Sequence, residues 1–212
     1  MILAPTEAGA LMKRSTSLHS ALLAVTLATA TLAAPTVRAA PVTRFEPSLA
    51  IQDAALVLNG SGTRFRAVFR VYDMALYTPR KVGSAEDLLA LPGPKRLQFV
   101  ALRELPGTDL GRLFIKGMSE NSPKELVQKH TLSSMRLIEV FSGRNKMAPG
   151  ETFAMEFAPG KGTTFFIMGQ PQGAPVGDAE FFNMVLKIWV GPQPADAALR
   201  DALLGHERSA MN

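Results

Sequence analysis

Thr63 to Tyr77 reads TRFRAVFRVYDMALY, fifteen residues dense in aromatic and β-branched side chains, and no other stretch constrains the fold as much. Its first half alternates in polarity with the two-residue period of a strand. Fifteen residues exceed the ~3–10 of an ordinary strand, so a bulge or bend is expected near Arg70. Asn59-Gly-Ser-Gly62, just before it, reads as a turn. Phe45–Ile51 and Ala54–Leu58 read as short strands ahead of that turn. Thr78-Pro79 ends the run.

Helices follow the strands. Ser84 is placed to cap a short helix through Leu91, with Asp87 in the capping-box position. Lys95–Arg103 is apolar on both faces and reads as a central strand. After Thr108, the residues Leu110, Leu113, Phe114 and Met118 recur at helical spacing. Ser122-Pro-Lys-Glu125 forms a capping box, opening one helix that carries Leu126, His130, Leu137 and Phe141 and stops at Gly143. Glu151–Phe157 and Thr163–Met168 flank Pro159-Gly-Lys-Gly162 as a hairpin. Asp178 caps a long apolar helix through Val190, and Ala195–Leu204 adds a short one. Strands, helices, a hairpin and helices again make an antiparallel α+β domain with helices layered on the sheet.

The first 39 residues read as a secretory signal. Met12-Lys-Arg14 is a cationic start, and Met12 is the expected initiator. Ala21–Ala34 is apolar but short of the ~20 residues of a spanning helix, and Val37-Arg-Ala39 suits a signal peptidase. Cleavage leaves 173 of the 212 residues as one domain, 40–212, periplasmic or secreted, with no membrane span. A domain of that size buries roughly 70% of its unfolded surface and needs no staples. The chain has 23 basic and 18 acidic side chains; without Lys13, Arg14, Arg38 and Glu7 it keeps 20 and 17. That balance makes no nucleic-acid footprint. With no cysteine, and with only His130 and His206 after residue 39, thiolate and multi-histidine metal sites are excluded. No cofactor or metal is expected.

The remaining motifs are modest. Gly160-Lys-Gly-Thr163 has a strand–turn–strand context and reads as a hairpin turn, not a phosphate loop. Asn59-Gly60-Ser61 is a glycosylation sequon. His130 reads as a core or cleft-edge imidazole, with a catalytic base as the alternative. Arg66 and Arg70 read as a solvated sheet face, whereas Arg64 follows the Gly-Ser-Gly turn at a strand mouth. The carboxylates are scattered singly and offer no acid/base pair.

The segments Leu58-Asn-Gly-Ser-Gly-Thr-Arg64, Val71 to Pro79, Phe99 to Arg103 and Leu113-Phe-Ile-Lys116 resemble the chalcone isomerase fold. So do Val176-Gly-Asp-Ala, Ile188-Trp-Val-Gly-Pro192 and Leu199 to Gly205. The likeness is greatest to exported bacterial chalcone isomerase-like proteins and spans about residues 50–205. The resemblance implies an open-faced β-sandwich, a large antiparallel sheet with helices on one side and a ligand cleft between them. In the plant enzymes the arginine matching Arg64 polarises the substrate. Here Tyr72 or a neighbour stands in for a threonine, and Leu113 falls at a lysine position with Arg112 and Lys116 nearby. A helical tyrosine has no counterpart, because none follows Tyr77. Non-catalytic relatives bind fatty acids, with the same arginine on the carboxylate. The resemblance therefore implies a binder of a small acidic amphiphile, a fatty or aromatic acid. Its site residues would come from Arg64, Tyr72, Tyr77, Arg112 and His130. An isomerase acting on a chalcone-like ketone, with Arg64 as electrophile, and a structural or partner-binding domain are the alternatives.

Overall fold

The computed structural model describes residues 43–206, so the expected signal segment and its cleavage site lie outside the described residues. Seven antiparallel strands form one sheet in the order β1 (Ser48–Ile51), β2 (Ala54–Arg66), β3 (Phe69–Thr78), β4 (Lys95–Ala101), β7 (Thr152–Ala158), β8 (Gly162–Ile167) and β9 (Gln170–Pro171). A two-stranded ribbon pairs β5 (Leu105–Pro106) with β6 (Lys146–Met147). The helices are α1 (Ala85–Ala90), α2 (Gly107–Glu120), α3 (Lys124–Lys129), α4 (Thr131–Ser142), α5 (Ala179–Val190) and α6 (Ala197–Leu203). The expected α+β architecture is present.

Strand alternation builds the core. Tyr72, Met74 and Leu76 of β3, Leu97 and Phe99 of β4, Phe153 and Met155 of β7, and Phe165 of β8 share one sheet face and bury against α2, α4 and α5. Phe99 and Phe153 stack with centroids 4.3 Å apart, and Trp189 of α5 tilts against Phe99 at 5.2 Å. Every residue of α5 from Met184 to Val190 except Lys187 is buried, which is why this helix reads as nearly continuous hydrophobic sequence. The opposite face carries a small cluster of Ile51, Leu56, Ala75 and Tyr77. Farther along that face, Arg96 pairs with Glu156 at 2.6 Å.

The segment Asn59 to Tyr77 departs from the sequence reading. Asn59-Gly-Ser-Gly62 lies inside β2, and the chain turns instead at Ala67-Val68, with Ala67 at φ 52°. Thr63 to Tyr77 is thus two strands of a hairpin, with Arg64 opposite Tyr72 and Arg66 opposite Phe69. The glycines answer to packing: a Cβ on Gly60 would lie 2.1 Å from the Ala202 carbonyl oxygen, so α6 can rest on β2 only there. Register slips mark two bulges, at Asn59 on β2 and at Val71 on β3, the latter one residue beyond the expected irregularity at Arg70. Bulging turns the Asn59 side chain inward. Its amide donates to the Leu203 and Val82 carbonyls at 2.7 and 3.1 Å and its oxygen accepts the Val82 N–H at 2.8 Å. At 2% exposure it offers no glycan acceptor in the folded domain.

The helix expected from Ser122 to Gly143 is two. His130, at φ −100° and ψ 23°, separates α3 from α4. Helical geometry starts at Lys124, one residue late for the capping box, and the buried Ser122 hydroxyl makes no hydrogen bond among the described residues. The other expected caps form. Ser84 accepts the Asp87 N–H and Asp178 the Phe181 N–H, each at 3.0 Å.

Candidate functional site: a cleft between the hairpin and helix α2

A cleft of about 470 Å³ opens between the β2–β3 hairpin, α2 and the loop from α5 to α6. That is within the ~300–1,000 Å³ of small-molecule sites. Buried Tyr72, Phe114 and Ile188 form its floor, and half-exposed Leu113 stands at its rim. Gly117 lets α2 approach α5 closely enough to seal the floor, since a Cβ there would meet Ile188 Cγ2 at 2.9 Å.

The polar groups of the cleft are lopsided. Its three acids are each engaged with a lysine or arginine: Glu104 with Lys146 at 2.6 Å, Asp109 with Arg112 at 3.2 Å and Glu120 with Lys116 at 3.5 Å. Arg64, Arg66 and Arg103 also line it, and among the described residues none of these three forms an ion pair. The result is an apolar pocket with an unmatched cationic wall.

Arg64 and Tyr72 face each other across the hairpin. Arg64 donates to the Ala195 carbonyl. The Tyr72 hydroxyl accepts the indole N–H of Trp189 at 2.8 Å, which leaves its own proton free to donate. Burial pushes the Tyr72 phenol up to about 12, with the Arg64 guanidinium and the Trp189 N–H offsetting only part of that rise. Tyr72 is therefore a neutral donor at any physiological pH.

The α5–α6 loop is fixed from both sides. Asn121, at the end of α2, donates to the Gly117 and Gln193 carbonyls at 2.9 Å and accepts the Gln193 N–H at 2.8 Å. Asp196 caps α6 and also accepts the Phe65 N–H of β2 at 3.0 Å. Trp189, Asn121, Asp196, Arg66 and Arg103 all escaped the sequence reading as site residues. Trp189, within Ile188-Trp-Val-Gly-Pro192, and Arg103, at the end of Phe99 to Arg103, stood in segments that could have drawn attention. The solvated face read for Arg66 and Arg70 holds for exposure, but Arg66 borders the cleft as well.

The sequence candidates disperse. Arg64 and Tyr72 meet in the cleft. Arg112 points outward to Asp109. Tyr77 is on the opposite sheet face, donating to the Glu46 carbonyl at 3.0 Å, because five residues along a strand reverse the side. His130, 6% exposed, is under the start of α5, with Nε2 3.6 Å from Asp178 Oδ1 and 3.5 Å from Glu180 Oε2. These three could converge on a cation, but Lys129 already pairs with Glu180 there.

The sequence pattern of chalcone isomerase-like proteins matches residues 40–205. The chain belongs to the chalcone isomerase-like family. A search of curated proteins found no match. Among solved structures, this chalcone isomerase-like domain is similar to a fatty-acid binding protein of Arabidopsis thaliana, with a TM-score of 0.59 and 16% identity. The alignment covers 76% of this chain and 91% of that one. At that identity the likeness shows the fold: an antiparallel sheet with helices on one side.

Proposed function

We propose that this chalcone isomerase-like domain binds a small acidic amphiphile, a fatty acid or an aromatic acid, without transforming it. The observation that carries the reading is the pairing of Arg64, which forms no ion pair among the described residues, with a neutral Tyr72 donor beside an apolar floor. A carboxylate there would accept from the guanidinium and the phenol together, while its apolar body lies against Leu110, Phe114 and Ile188. The fatty-acid binding of the Arabidopsis protein supports the same class of ligand. Among the described residues of the cleft no free imidazole or carboxylate accompanies Tyr72 as a base for isomerisation, because His130 is outside the lining and each cleft carboxylate is engaged by a cation. We further propose, from residues 12–39 alone, that the domain acts outside the cytoplasm; exported material should begin at Ala40.

Mass spectrometry of ligands that co-purify, followed by titration with the acid found, tests the reading. Arg64→Met should weaken binding 10- to 150-fold, the equivalent of a charge-assisted contact of ~1.5–3 kcal/mol. Arg64→Lys should restore part, since an ammonium cannot form the planar fork. Equal affinity of wild type and Arg64→Met would overturn the site. Turnover of a chalcone, followed by absorbance, would favour the isomerase instead.

A further inference from the structure

The β2–β3 hairpin ends in an exposed apolar tip. Val68 is 82% and Phe69 59% exposed, the two most exposed large apolar residues of this sheet. Arginines surround them. Arg66 and Arg70 flank the tip in sequence, the Arg70 guanidinium stands 6.0 Å from the Phe65 ring, and that of Arg103 stands 5.2 Å from the Phe69 ring. From Arg64 to Tyr72 there is no acidic residue, and the next, Asp73, is fully buried. Arg64, Arg66 and Arg103 also line the cleft, so tip and cleft mouth form one continuous surface.

We propose that this surface docks on a bilayer carrying anionic headgroups, and that the cleft exchanges its amphiphile there; the exchange rests on the ligand reading above, whereas the docking does not. Apolar side chains ringed by guanidinium groups fit the boundary between acyl chains and headgroups. Val68 and Phe69 enter the chains, and the arginine stems lie along them with their heads among the phosphates. Each arginine near such a surface strengthens binding about five-fold. The charge complementarity selects a bilayer over an apolar protein groove, which would leave the arginines unmatched. It also explains why a hairpin keeps a phenylalanine in water at its turn.

The absence of cysteine permits a single-site test on the full chain. Val68→Cys is labelled with an environment-sensitive fluorophore and mixed with vesicles of phosphatidylcholine, with or without an equal share of phosphatidylglycerol. Lys161→Cys, in the β7–β8 turn at the opposite end of the sheet, is the control. The Val68 label should shift blue with the anionic vesicles only and less so in high salt, while the Lys161 label stays unchanged. Adding Phe69→Asp to the labelled chain should raise the lipid needed for half the shift at least ten-fold, with its melting temperature and its affinity for soluble fatty acid kept. No shift at Val68, equal shifts at both sites, or an unaltered lipid requirement in the Phe69→Asp chain would overturn docking. A shift on concentrating the protein without lipid would mark a contact between copies and overturn it too. Anionic-vesicle docking without fatty-acid binding would uphold the docking and remove only the ligand reading.

Discussion

The indole N–H of Trp189 is donated to the hydroxyl of Tyr72 at 2.8 Å, joining α5 to β3 across 117 residues. The bond has two consequences: it orients the phenol at the cleft floor, and it makes each partner depend on the other. Tyr72→Phe should destabilise the ligand-free domain by about 1–3 kcal/mol, because it leaves a buried indole N–H unsatisfied. Combined with Trp189→Phe it should cost less than the two single changes added together. Urea unfolding of the four proteins measures this coupling, and strict additivity would deny the bond.

Gly60→Ala is expected to be among the most damaging small substitutions. Its methyl group would press on the Ala202 carbonyl oxygen at 2.1 Å and the Leu203 carbonyl oxygen at 2.5 Å, both backbone atoms that cannot step aside without moving α6. A loss of about 2–3 kcal/mol or outright misfolding is expected. Gly83→Ala is the control, since its Cβ would meet nothing nearer than His206 Nε2 at 4.0 Å. Thermal melts of the two variants should differ widely.

Acid should unfasten α5. Burial raises the Asp178 carboxyl, but the Phe181 N–H together with His130 and Lys129 outweighs it and holds the group below its ordinary value. Lys129 and then His130 hold Glu180 low as well. Both carboxyls are thus depressed on folding, so their stabilisation is complete above the unfolded carboxylate range and is lost as pH falls through the folded values. Melting temperatures followed from about pH 6 down to pH 2 should drop more steeply for wild type than for Asp178→Asn, which keeps the cap but not the charge. Parallel curves would show that Asp178 contributes nothing through its ionisation.

Asn121→Ala tests the loop that receives Arg64. The side chain bridges three backbone groups between α2 and residues 191–193, and a Cβ on Gly191 would collide with its Oδ1 at 2.4 Å, so the two positions fit only each other. A cost of about 2–3 kcal/mol is expected, with faster amide exchange around Gln193 and Ala195. Unchanged exchange there would mean the loop is held by Ile188 and Arg64 without Asn121.

The sequence made the periodic elements legible, and it misled where glycine has two uses. Asp178 and Ser84 announced their helices because cap chemistry is local. Asn59-Gly-Ser-Gly62 read as a turn because local rules cannot see α6, 140 residues away, pressing on the strand. Ala67-Val68 carries no turn residue, so the actual hairpin was hidden. Of the cleft, Arg64 and Tyr72 were within reach through the family resemblance. Tyr77 was not separable from them until register fixed its side of the sheet. Asn121 and Asp196 act through backbone groups distant in sequence, and no spacing rule connects them to Arg64.

Asn59 to Leu203, Phe65 to Asp196 and Arg64 to Ala195 are bonds between the second strand and α6 with the residues that lead into it, spanning 144, 131 and 131 residues. The wall of the cleft is therefore assembled from the two ends of the domain. A nascent chain lacking its final few turns should form a sheet and a helical layer but no finished pocket. On the binding proposed above, ligand capture belongs to the completed polypeptide, and a chain shortened past Ala195 should lose it before it loses its sheet.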